Sequence, residues 1–201
     1  MNMATGQIYN EMQMSAINEI ANIGTGNAAT ALSQMTGISV DIDPPQASFV
    51  PLAEAVDRIG KPETPIIGVL TGVVGQVPAN ILLAFPFEAA ISLCSLLGVD
   101  AMSDIGKSAL QEIGNILTSS YLIAIGQMTG LEFEPEPPLL AVDMLGSIVD
   151  GVLAATIAAS ADDVLFLKTA IRIEDAYCDF GFLYVPTVEG VQTLLGALGV
   201  A

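Results

Sequence analysis

Histidine and tryptophan are absent from these 201 residues, and only five lysines and arginines stand against 22 aspartates and glutamates. Without histidine, neither a Ser-His-Asp nor a Cys-His nucleophilic arrangement can be assembled, and a histidine-based metal site is excluded. Five cations cannot neutralise a run of phosphates, so nucleic acid is not an expected partner. The net charge of −17 comes from this shortage more than from an excess of acid. It would suit a protein working in high salt, where screening removes self-repulsion. Cys94 and Cys178 lack CxxC spacing and fit free buried thiols of a reducing cytosol at least as well as a disulfide. The first twelve residues lack both the basic region and the apolar run of a secretory signal, so a cytoplasmic location is expected. Uncharged runs are scarce as well. One from Ile66 to Phe85 is long enough to span a bilayer, but it contains Gly68, Gly72, Gly75, Gln76, Pro78 and Asn80. It reads as two strands and a turn, without membrane insertion.

What is present is a repeat. SAINEIANIGTGNAATALSQMTGISVDIDPP, from Ser15 to Pro45, returns 93 positions later as SALQEIGNILTSSYLIAIGQMTGLEFEPEPP, from Ser108 to Pro138, with 14 of 31 positions identical and no gap. Two similar halves, about 14–98 and 104–201, are expected within one domain, and 52% hydrophobic residues supply a core for it.

In the first half a helix is predicted over about Met14 to Met35, stopped by Gly37. One face carries Ile17, Ile20, Ala21, Gly24, Ala28, Ala31, Leu32 and Met35. Strands at 38–42 and 47–52 flank Pro44 and Pro45, a short helix precedes a loop at 61–65, and a hairpin turns about Gly75 and Gln76. A helix over about 86–97 closes the half. The second half repeats the order: a helix over about 104–128 with Asp104 as its expected N-cap, strands either side of Pro135 to Pro138, and a helix over 143–159. That helix carries an apolar stripe of Leu145, Ile148, Val152 and Ile157. A hairpin over 164–173 and 178–185 and a last helix over about 187–198 follow. The fold class is therefore α+β: a pseudo-two-fold internal repeat, a mostly antiparallel sheet flanked by helices, and two long equivalent helices.

Chemistry-bearing residues are few. GTGNA at 24–28 lies inside a helical pattern without a preceding strand or a GK[ST] ending, so it is not a phosphate loop. Asp41, Asp43, Glu132, Glu134 and Glu136 alternate with other residues as the solvated face of a strand does. What remains is a polar stripe opposite the packing face, Ser15, Glu19 and Asn22, repeated as Ser108, Glu112 and Asn115. Polar residues at helical spacing usually face water. Here both copies keep Glu and Asn while their neighbours differ (Asn18 against Gln111, Asn27 against Ser120), and the residues alone leave a solvated face and a functional site equally open.

The spacing Ser-x3-Glu-x2-Asn, with Pro after a further 22 residues, occurs as Ser15, Glu19, Asn22, Pro45 and as Ser108, Glu112, Asn115, Pro138. Together with EIANIGTGNAATA and EIGNI, it resembles the CheC/CheX/FliY family of chemotaxis phosphatases along essentially the whole chain. Two motif copies without an added flagellar-switch domain resemble the CheC branch, whereas CheX is expected to keep one site. The resemblance implies dephosphorylation of the aspartyl phosphate of the response regulator CheY, with Asn22 and Asn115 holding the attacking water and Glu19 and Glu112 pairing with a regulator lysine. Ser15 and Ser108 would contact the partner or act in capping. Gly26 and Ser119 would permit close approach. No cofactor is implied in this chain, the divalent ion belonging to CheY. A second implied partner is the receptor deamidase CheD, for which Ile148 and Val152 offer a docking stripe if exposed; core packing is the competing reading of these two residues. The alternative function is a non-catalytic adaptor of CheD or a regulator. Leu117 stands where the first copy has Gly24, and Ala21 where the second has Gly114; either difference could make the two sites unequal.

Overall fold

The computed structural model describes residues 9–156, 163–173 and 176–200. Helix α1 (Glu11–Thr36) starts earlier than the sequence pattern suggests. Asn10 accepts from the Gln13 amide while the Gln13 side chain accepts from the Asn10 amide, each at 2.9 Å. This reciprocal box satisfies donors that the first turn would otherwise leave unpaired. Its repeat, α4 (Asp104–Thr129), is capped by Ser103 rather than Asp104, the hydroxyl accepting from the Gly106 amide at 3.1 Å. Asp104 instead lies in the first turn, where its charge complements the positive end of the helix dipole. The two helices stop identically. Gly37 and Gly130 take φ of 73° and 72°, the left-handed region that a β-carbon disfavours.

Eight strands form one sheet in the order β1-β7-β8-β4-β3-β5, with β2 also on β7 and β6 also on β3. The strands are β1 (Val40–Ile42), β2 (Gln46–Pro51), β3 (Pro65–Gly75), β4 (Ala79–Pro86), β5 (Phe133–Pro135), β6 (Leu139–Met144), β7 (Asp163–Ile173) and β8 (Ala176–Pro186). Every pairing is antiparallel. The first two strands of each repeat pair with the other repeat: β1 and β2 with β7, β5 and β6 with β3. The halves are thus interlocked, and β4 and β8 meet at the centre.

Alternation along the strands builds two cores. Ile67, Val69 and Val73 of β3 join Leu83 and Phe85 of β4 under α1, α4, α3 (Phe87–Leu96) and α6 (Val188–Ala197). Ile66, Leu82 and Ala84 face the other way, toward α2 (Leu52–Ile59) and α5 (Leu145–Thr156). Burial on both faces makes β3 and β4 largely apolar, which is why Ile66 to Phe85 has nearly the composition of a membrane segment. It forms the predicted hairpin, and no helix among the described residues is long and apolar enough to cross a membrane.

The expected packing face of α1 is buried at Ile17, Ile20, Ala21, Gly24, Ala28 and Leu32, with Thr25 added. Met35, expected on that face, is 41% exposed at the helix end. The expected helix over 143–159 is observed as α5, and Ile157 of its stripe lies outside the described residues.

Candidate functional site

Helices α1 and α4 pack against one another on one face of the sheet. Their buried sides explain their outer ones. Gly24 has no side chain because the Tyr121 ring of α4 occupies that space: a β-carbon there would sit 2.5 Å from Cδ1 of the ring. The Tyr121 and Thr25 hydroxyls hydrogen-bond at 2.9 Å. Burial pushes the Tyr121 pKa up to about 12, the Thr25 bond acting in the opposite sense. On α4, Gly114 lies close against the sheet, where a β-carbon would meet Cγ1 of Val69 at 2.6 Å. Ala21 fills the equivalent position of α1 and is buried. The two departures in the sequence, Leu117 for Gly24 and Ala21 for Gly114, are therefore packing differences beneath the stripes.

With these sides buried, the opposite ones face out. Ser15, Glu19, Asn22 and Gly26 are exposed on α1; Ser108 and Glu112 are exposed and Asn115 and Ser119 half-buried on α4. Among the described residues, none of the Glu, Asn or Ser side chains of the two stripes is hydrogen-bonded or ion-paired within the chain. Ser15 and Ser108 are not caps, since Asn10 and Ser103 hold those positions. Nor do they donate back to the preceding turn as Ser33 does to Ala29 O at 2.8 Å. Each stripe thus offers one carboxylate, one amide and one hydroxyl on an outward helix face.

Gln111, next to Glu112, donates from Nε2 to the Pro138 carbonyl at 3.0 Å and braces α4 against the β5–β6 turn. The sequence pattern singled out Pro138 but not its partner. The acidic alternations are solvated as expected, though only Asp41 and Glu134 lie within strands: Asp41, Glu132, Glu134 and Glu136 are exposed, and Asp43 pairs with Arg172 at 2.7 Å. Ile148 and Val152, considered for an exposed docking stripe, are 9% and 4% exposed in the core beneath α5. The helix turns its apolar side to the sheet, leaving Ser147 and Asp150 outward, so that stripe is not an accessible surface.

The CheC-like family matches residues 12–48 and 105–140, the segments that hold both stripes. The CheY-P phosphatase CheC of Bacillus subtilis (strain 168) is 31% identical over 147 residues, covering 69% of this chain and 70% of that protein. This chain belongs to the CheC-like family. Its similarity to the flagellar motor switch phosphatase FliY of Bacillus subtilis (strain 168) is 34% over 121 residues, 60% of this chain and 30% of that longer protein. The fold of this CheC-like chain matches Thermotoga maritima FliY with a TM-score of 0.73 at 16% identity, covering 96% of this chain and 98% of that one. It also matches the FliM middle domain of H. pylori, with a TM-score of 0.68 at 12% identity and coverages of 94% and 99%.

Proposed function

We propose that this protein hydrolyses the aspartyl phosphate of a CheY-type response regulator, using the Glu19/Asn22 and Glu112/Asn115 stripes as two sites. The observation that carries this reading is the pair of outward Glu-x2-Asn arrangements with no partner among the described residues, on helices packed together from behind. The named activity of the Bacillus subtilis relative supports it.

The reaction fits such a sparse site. Water attacks phosphorus in line as the bond to the aspartyl oxygen breaks, giving inorganic phosphate and restoring the carboxylate. Catalysis of this step is largely positioning and electrostatics. The Asn22 or Asn115 amide oxygen accepts a hydrogen bond from the attacking water, and the amide brings no charge to repel the phosphoryl oxygens. Glu19 or Glu112 pairs with a regulator lysine and sets the register of the docked helix. The divalent ion belongs to the regulator, so this chain supplies no metal ligands to the step. Ser15 and Ser108 contact the regulator beside the carboxylates. The adaptor alternative, with CheD as partner, finds no support at Ile148 and Val152, which are buried.

The test is the decay of the phosphorylated cognate regulator with and without this protein. Asn22→Ala combined with Asn115→Ala should lower the catalysed rate by roughly 100-fold, the scale of a misplaced reactant, while binding persists. Unaltered catalysis in the folded double variant would sink the assignment.

A further inference from the structure

Beyond Asn115, the exposed side of α4 runs into an apolar groove of about 350 Å³. Ser119 forms its near end, Leu122 and Ile123 one wall, and Leu131, Phe133 and Pro135 the other. Ile123 is 54% exposed; what sets it apart from a singly exposed apolar residue is that it continues into the apolar lining of the groove. The first copy builds the same place differently. There Ser33 accepts from the Val40 amide at 2.9 Å, tying α1 directly to β1, and Thr30 stands where α4 has Ile123, its hydroxyl bonded to Gly26 O at 2.9 Å. In the second copy Gly126 replaces Ser33 and Phe133 replaces Val40. That polar tie is lost, and β5 is separated from α4 by the groove.

We infer that this groove is a docking subsite of the second site, which takes an apolar side chain of the phosphorylated regulator lying next to its phospho-aspartate. The inference rests on the phosphatase reading. Geometry names the occupant. A protein that brings a phosphoryl group to Asn115 covers about 800 Å² here, a patch of roughly 16 Å radius if round. Ser119 lies roughly 6 Å and Ile123 roughly 12 Å along the helix from Asn115 at 1.5 Å per residue. The docked regulator therefore lies over the groove, and a bare Ile123 under it is either matched by an apolar group or left as a desolvated mismatch. On the helix side, the corresponding ground beyond Asn22 offers Gly26, Ala29 and Thr30 in place of Ser119, Leu122 and Ile123, so its helix wall carries no large apolar side chain. The two sites consequently bind the same regulator with different affinity, the second more tightly.

Single-site proteins separate the possibilities. Asn22→Ala leaves only the second site working and Asn115→Ala only the first. Ile123→Thr, which installs the first copy's residue, and Ile123→Glu are placed in each background, and decay of the phosphorylated regulator is followed over a range of regulator concentration. With the second site alone, Ile123→Glu should raise KM by about tenfold or more with kcat nearly unchanged, and Ile123→Thr should raise it less. With the first site alone, both substitutions should leave KM unchanged. An unchanged KM at the second site, or an equal rise at both sites, overturns the groove. A protein with intact Asn22 and Asn115 that fails to speed decay at all overturns the phosphatase reading instead. Because Ile123 is exposed, the thermal midpoint of both variants should stay close to that of the parent, and the threonine variant reads out the subsite even if the glutamate one is perturbed.

Discussion

Gly24, Thr25 and Tyr121 form an arrangement that the repeat uses only once. The mate of Tyr121 in the first copy is Ala28, and the mate of Gly24 in the second is Leu117. Thr25 therefore gains a buried hydroxyl partner, whereas its mate Thr118 has none among the described residues, and its Oγ1 is fully buried. A buried hydroxyl without a partner costs about 1–3 kcal/mol. Opposite outcomes are expected from the same chemical change. Thr25→Val should destabilise by about 1–2 kcal/mol, since Tyr121 loses its partner. Thr118→Val should be neutral or stabilising, because the same shape loses an unsatisfied oxygen. Urea midpoints of the two variants check this, and equal losses would mean that Thr118 is paired after all. Residue identity made Glu19, Asn22, Glu112 and Asn115 legible, because each pair is written twice. Gln111 was not legible, since its bond to Pro138 spans 27 positions of sequence.

Among the elements, α5 was read in the right place with its orientation left open. Periodicity marks an apolar stripe but is silent on whether the stripe meets a sheet or a partner. Ile148 meets the sheet: its side chain lies within 3.2 Å of where a β-carbon on Gly68 would be. Ile148→Ala should therefore cost about 2–4 kcal/mol in chemical denaturation through the lost burial and residual cavity. A pure docking residue would change binding and leave stability alone. The start of α4 at Asp104 was read correctly, but its cap was not, since Ser103 and Asp104 are both good caps and only the Ser103 hydroxyl reaches the Gly106 amide.

Taken as one molecule, the chain carries a charge of −17 with only two ion pairs among the described residues, one exposed and the other joining exposed Arg172 to half-buried Asp43. Pairs of that kind contribute little, and the remaining acids repel one another. Raising sodium chloride from low ionic strength to 1 M should thus raise the thermal midpoint as screening shortens the range of repulsion. A midpoint that falls with salt would assign the two ion pairs more weight than the repulsion. Alkali should act the other way. Burial pushes Cys178 from 9.0 up to about 12 and Tyr121 from 10.0 up to about 12. Both raised values favour the neutral group in the folded state. Their contribution is complete below pH 9, and stability declines as the pH rises from there toward 12, where the unfolded chain sheds protons that the folded chain retains. Melting curves at pH 8 and 11 measure the decline.

The sequence by itself determined the repeat, the two long helices, the hairpins and the outward Glu-x2-Asn stripes, because each rests on local spacing, on turn chemistry or on writing the same pattern twice. Only the tertiary structure decided that the halves exchange strands, β1 and β2 completing the sheet beside β7 and β5 and β6 beside β3. Either repeat could have paired its strands within itself with the same alternation, since period-2 patterning specifies a face and not a neighbour. The burial of Ile148 and the groove beside Asn115 depend on the same long-range contacts. They arise where segments distant in sequence meet, and no local pattern records which segment arrives.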